Sequence, residues 1–149
     1  FMHGGEQENG FRAGTLAVHN IVGFGKAAEI ALRDFEANEK RILKLDQMLI
    51  SELNAIQEIS LTNPSEQRLP GIVSIVVDKR DFNNERFIKH ISDKLALSTG
   101  SACSAGEPSY VITALGLEDK VSKVLRISIN KYTTEEDIIQ LIKILKSEL

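Results

Sequence analysis

The chain has 149 residues, 42% of them hydrophobic and 26% charged, the make-up of one globular domain or a large piece of one. A net charge of −3 excludes a general nucleic-acid binder, which would show a basic stripe. No apolar run approaches the roughly 20 residues that cross a bilayer, and no signal peptide is recognisable, so the expected setting is cytoplasmic without a membrane partner.

The chain opens on Phe1 rather than Met and runs directly into loop-like sequence, which reads as a piece cut from a longer protein. Residues 1–20 carry Gly4, Gly5, Gly10 and Gly14 among small and charged residues, a loop rich in backbone freedom. From Ile21 the apolar spacing turns helical through Phe24, Ala28, Ala31 and Phe35, then Ile42, Leu45, Leu49 and Leu53. This predicts one long helix broken near Ala37-Asn38, or two in succession. A short strand is expected over 56–61, and Asn63-Pro64-Ser65 is turn chemistry. Ile72-Val73-Ser74-Ile75-Val76-Val77 is the clearest strand, β-branched and expected to be buried on both faces. A helix follows over 83–95, then a run of small residues over 98–106, then a helix from Pro108 or Ser109. Residues 124–129 form another strand. The last helix begins after Thr133, which with Glu136 makes a capping box, and its core stripe is Ile138, Leu141, Ile142, Leu145 and Leu149. The expected fold is α/β (α+β), a small mixed sheet covered by helices.

Three places can carry chemistry. Cys103 is the single cysteine, so no disulfide forms within the chain, and it is either a buried small hydrophobe or a reactive thiol. Gly100 and Gly106 bracket it among small polar residues, so the loop can bring the sulfur to solvent or a partner; no nearby Lys, Arg or His lowers its pKa. Arg126 sits in an apolar strand, where a buried guanidinium requires a carboxylate. That carboxylate is either internal, such as Glu107 or Asp119, or belongs to a substrate held in the bidentate fork. Arg12-Ala13-Gly14-Thr15 combines a charge, a glycine and a hydroxyl; it is an ordinary turn or a phosphate contact. His3, His19 and His90 have no metal-ligand spacing, and no metal site is expected.

Taken together, three segments resemble the cysteine desulfurase family, in its NifS-like branch related to class-V aminotransferases. Gly4-Gly5-Glu6-Gln7-Glu8-Asn9-Gly10-Phe11-Arg12-Ala13-Gly14-Thr15 is similar to the family's glycine run and Arg-x-Gly-Thr. Ser98-Thr99-Gly100-Ser101-Ala102-Cys103-Ser104, followed by Glu107-Pro108-Ser109, is similar to its active-site loop. Leu125-Arg126-Ile127-Ser128 with Tyr132-Thr133-Thr134-Glu135-Glu136 is similar to its closing strand and helix. The resemblance implies the C-terminal small domain of a fold-type-I pyridoxal phosphate enzyme over 21–149, with 1–20 as the tail of the large cofactor domain. It implies a homodimer that converts L-cysteine to L-alanine and passes sulfur to an acceptor, such as an iron–sulfur scaffold or a tRNA-thiolation protein. Cys103 matches the residue that takes up the sulfur as a persulfide. Arg126 matches the arginine on the substrate carboxylate, and Thr15 the threonine on the cofactor phosphate of the neighbouring subunit.

Several positions depart from that pattern. No lysine has the Ser/His-Lys context, followed by Gly-Pro, that holds the cofactor, so this stretch alone is expected to be inactive. Glu6 interrupts the glycine run, and Asn9 stands where a basic or aromatic residue is usual. Only three residues separate Cys103 from Glu107, a shorter loop than the NifS-like pattern, which favours a dedicated acceptor over a distant one. A selenocysteine lyase or another class-V aminotransferase-like enzyme fits the same residues. A non-catalytic dimerisation or regulatory module predicts a buried thiol. A rhodanese-like sulfurtransferase would want a basic cradle around the cysteine, and a cysteine hydrolase a histidine oriented by an acid.

Overall fold

The computed structural model describes residues 2–63, 68–100 and 109–149. The chain divides into two compact units, Phe1–Asn38 and Glu39–Leu149. The helix α1 (Val18–Asn54) is continuous through both, with no break at Ala37-Asn38. Both segments of the sequence pattern therefore belong to one helix, because Ala37 is a strong helix former and Asn38 lowers propensity without removing a hydrogen-bond donor as proline would.

In the first unit, the loop before α1 is closed on itself. Gly10 N–H bonds Glu6 O at 3.2 Å, and Ala13 N–H bonds Met2 O at 3.1 Å. Gly14 N–H donates to Gln7 Oε1 at 3.1 Å. At Gly4 (φ +145°) a Cβ would stand 2.9 Å from that of Ala13, so only glycine fits where the loop doubles back. On α1 this unit exposes Val18, Ile21, Val22, Phe24, Leu32 and Phe35.

The second unit holds the core. Its sheet runs β1 (Ile59–Leu61), β2 (Ile72–Val77), β3 (Val124–Ser128), in that spatial order. Where the pattern suggests a mixed sheet, both ladders among the described residues are antiparallel, with Ile59 opposite Val77 and Ser74 opposite Arg126. Period-two alternation puts Val73, Ile75, Val77, Leu125 and Ile127 on one face. There they meet Leu45, Leu49 and Leu53 of α1, Phe87 and Ile91 beside α2 (Asn84–His90), and the buried stripe of α4 (Glu135–Glu148). The α/β arrangement of a small sheet under helices is thus present, and the stripe Ile138, Leu141, Ile142, Leu145 faces the core.

The other face of the sheet is divided. At one end Val76 and Val124 are covered by Ile112 of α3 (Tyr110–Ala114) and by the 3-10 turn Glu118–Lys123. At the opposite end Ile72, Arg126 and Ser128 are exposed, so β2 is buried on both faces only over part of its length. Buried Asn84 fixes the entry to β3, its Nδ2 donating to Val121 O and Val124 O at 2.9 Å each.

Two further polar anchors hold the unit. Asp46, buried on α1, pairs with both terminal nitrogens of Arg68 and accepts from Gly71 N–H at 2.8 Å. Gly71 has φ +92°, and a Cβ there would lie 3.0 Å from Ile42 Cγ2 and 3.3 Å from Ile129 O. The segment leading into β2 is therefore clamped between α1 and the end of β3.

The capping box of α4 is present one residue later than the sequence pattern indicates, as Thr134 with Asp137. Thr133 is committed elsewhere: its hydroxyl accepts from Asn130 N–H at 3.0 Å and its N–H donates to Asn130 O, closing the turn out of β3. The helix predicted over 83–95 stops as regular α-helix at His90, and residues 91–94 continue as turns that still deliver Leu95 to the core. No described helix is long and apolar enough to cross a membrane.

Candidate functional site

Arg126 is the centre of what the structure offers. Its neighbours Leu125 and Ile127 point into the core, so the alternation of β3 places Arg126 on the open face, exposed. The expectation of a buried guanidinium in need of an internal carboxylate is thereby revised. No described carboxylate pairs with Arg126, Asp119 included. Glu107 lies outside the described residues. An exposed guanidinium without a described ion-pair partner, on a rigid strand, is suited to an anionic ligand.

The surroundings of Arg126 are small and polar. Ser74 is its cross-strand neighbour on β2. On the outer side, Ser98 forms an isolated antiparallel bridge with Arg126. Arg126 N–H donates to Ser98 O at 2.6 Å, and Ser98 N–H to Arg126 O at 3.2 Å. Arg126 Nε also donates to Ser98 Oγ at 3.1 Å. Sequence reasoning picked out Arg126 and missed Ser98, because nothing local predicts a bridge across 28 positions.

Cys103 and its loop lie outside the described residues. Thr15 lies in the first unit, exposed, next to Gly14 (φ +93°) and just before the N-terminus of α1. No described residue hydrogen-bonds its hydroxyl, and the first turn of α1 carries no acidic side chain. The Thr15 hydroxyl, without a described partner, is a donor that fits a phosphate group, whereas Gly14 N–H is given to Gln7 Oε1 and Val18 N–H to Leu16 O. Among the described residues no cluster of three or more His, Cys, Asp or Glu could hold a metal ion.

Cysteine desulfurase IscS of Shewanella piezotolerans is 44% identical over 140 residues, covering 92% of this chain and 34% of the relative. The IscS of Aeromonas hydrophila is 39% identical over 151 residues, covering 99% of this chain and 37% of the relative. The chain thus spans about a third of the length of the curated relatives it matches. A NifS-like protein from Rickettsia africae superposes with a TM-score of 0.82 at 25% identity, over 97% of this chain and 38% of that one. Another structure described as a NifS-like protein gives 0.79 at 29%, over 99% and 39%. The family Aminotransferase class-V matches residues 3–141. The chain belongs to the class-V aminotransferase family.

Proposed function

We propose that this chain is the C-terminal part of a pyridoxal phosphate-dependent cysteine desulfurase that converts L-cysteine to L-alanine. The observation that carries the reading is the exposed guanidinium of Arg126 on the open sheet face, without a described carboxylate partner. Identities of 38–44% to cysteine desulfurases support the assignment of substrate.

In this reading Arg126 binds the carboxylate of L-cysteine and fixes the orientation of the substrate, and Cys103 takes up its sulfur. The thiolate of Cys103 attacks the substrate sulfur. The new S–S bond forms as the substrate C–S bond breaks; that electron pair stays on carbon, which takes up a proton and leaves as alanine. The second sulfur remains on Cys103 as a persulfide for an acceptor such as an iron–sulfur scaffold or a tRNA-thiolation protein. Bound pyridoxal phosphate supplies the electron sink that makes the carbon–sulfur bond labile. Thr15 would hold its phosphate across a homodimer, with the Schiff-base lysine on the part of the enzyme outside this chain. We assign residues 1–20 to the end of the cofactor domain and 21–149 to the small domain.

The test is alanine release from L-cysteine by the full-length protein and by its Cys103→Ser and Arg126→Ala variants. The reading expects alanine from the parent, almost none from Cys103→Ser, and a KM raised more than about tenfold by Arg126→Ala. Equal rates for parent and Cys103→Ser would remove Cys103 from the sulfur-accepting role and point to a lyase. A strong preference for L-selenocysteine over L-cysteine would move the assignment to selenocysteine lyase.

A further inference from the structure

Arg126 is held from one side only, and how it is held bears on how it can bind. Its backbone N–H and C=O both face Ser98, so toward β2 it forms the non-hydrogen-bonded type of pair with Ser74. Residues opposite one another in an antiparallel ladder project to the same face. Ser98 therefore stands beside Arg126 on the open face, its position fixed by the two backbone bonds of the bridge rather than by its own side chain. From there its hydroxyl oxygen accepts the Nε–H of Arg126 at 3.1 Å.

A guanidinium can grip a carboxylate in two ways. The side-on fork uses Nε–H with one terminal N–H, and the end-on fork uses one N–H from each terminal nitrogen. The bond to Ser98 occupies Nε–H, and no described residue takes a hydrogen bond from either terminal nitrogen. The serines that flank Arg126, Ser74 and Ser98, are too small to cover it.

We propose that Ser98 is a positioning residue for substrate binding: it fixes the rotation of the Arg126 guanidinium and directs the end-on fork to the α-carboxylate of the amino acid. This rests on the reading of Arg126 as the carboxylate anchor. Ser98 also lies five residues before Cys103, so the same bridge ties the start of the cysteine loop to the strand that holds the substrate.

The test uses the full-length protein loaded with pyridoxal phosphate, and compares Ser98→Ala, Ser98→Thr and Arg126→Ala. Dissociation constants for L-alanine and for ethylamine, which is alanine without its carboxyl group, are read from the absorbance of the bound cofactor. KM and kcat for L-cysteine are measured alongside. Ser98→Ala keeps the backbone bridge and loses only the hydroxyl. It should weaken L-alanine binding about three- to tenfold, the worth of one hydrogen bond. KM should rise by a similar factor, while ethylamine affinity and kcat move less than about twofold, a loss confined to carboxylate binding. Ser98→Thr, which restores the acceptor oxygen, should return L-alanine binding to near the parent value.

Unchanged L-alanine affinity in Ser98→Ala overturns the proposal. So does equal weakening of L-alanine and ethylamine, or a fall in kcat without a change in KM, since each would place Ser98 in the fold or the cysteine loop rather than on the carboxylate anchor. If Arg126→Ala fails to discriminate between the two ligands, the reading of Arg126 itself fails, whatever Ser98 does.

Discussion

Along α1, residues 18–35 and residues 42–53 carry apolar side chains at the same helical spacing, yet their surroundings differ completely. Leu45, Leu49 and Leu53 are 3%, 0% and 0% exposed, while Phe24 and Leu32 are 78% and 82% exposed. No described residue before Asn38 is buried. The spacing of apolar residues states which side of a helix wants cover; it does not state what supplies it. Over the second stretch the sheet and α4 supply it.

The largest expected effect that tests this contrast is Leu49→Ala, which should lower the unfolding free energy by about 3–5 kcal/mol in chemical denaturation, since a fully buried leucine leaves a cavity. Asp46→Ala should cost about 3 kcal/mol in the same assay, because it leaves the largely buried Arg68 guanidinium without its carboxylate and the buried Gly71 N–H without its acceptor. Thr134→Ala, at the cap of α4, should cost about 1 kcal/mol. Phe24→Ala, in the exposed stretch, should cost less than about 0.5 kcal/mol. A loss at Phe24 comparable to that at Leu49 would break the contrast.

A pH titration sharpens it further. Backbone and then side-chain hydrogen bonding by Thr134 lowers the pKa of Asp137. Hydrogen bonds from Lys94 and then His90 lower that of Glu148 at the other end of α4. A carboxyl group depressed in the folded state contributes stability above its unfolded pKa and loses it as the pH falls through the folded one. The chain should therefore weaken as the pH drops below the ordinary values of 3.8 and 4.5. NMR titration of these two carboxyls should show both midpoints below the ordinary values, with Thr134→Ala moving Asp137 upward and leaving Glu148 unchanged.

What was legible followed from local chemistry. β2 begins and ends where its β-branched run does, at Ile72 and Val77. The stripe of α4 was readable because a helix repeats its face every three or four residues. The cap of α4 was displaced by one residue because Thr133 serves the preceding turn, and two adjacent threonines give no local reason to prefer either. Arg126 is legible as a residue but not in its burial: its apolar neighbours suggest the interior, whereas alternation with Leu125 and Ile127 places it outward. The pairings of Ser98 with Arg126, and of Asp46 with Arg68, depend on chain segments meeting from far apart, and composition carries no trace of them.

The two margins of the sheet have a consequence for solubility. A strand with unpaired N–H and C=O groups along its edge is a template on which another chain can add, the first step of many aggregates. Here one margin is β1, only three residues long. The other is β3, whose central outward pair of N–H and C=O is already taken by Ser98. Neither margin offers a long run of open backbone among the described residues. The bridge that steadies Arg126 therefore also interrupts the stretch of β3 edge on which another strand could add.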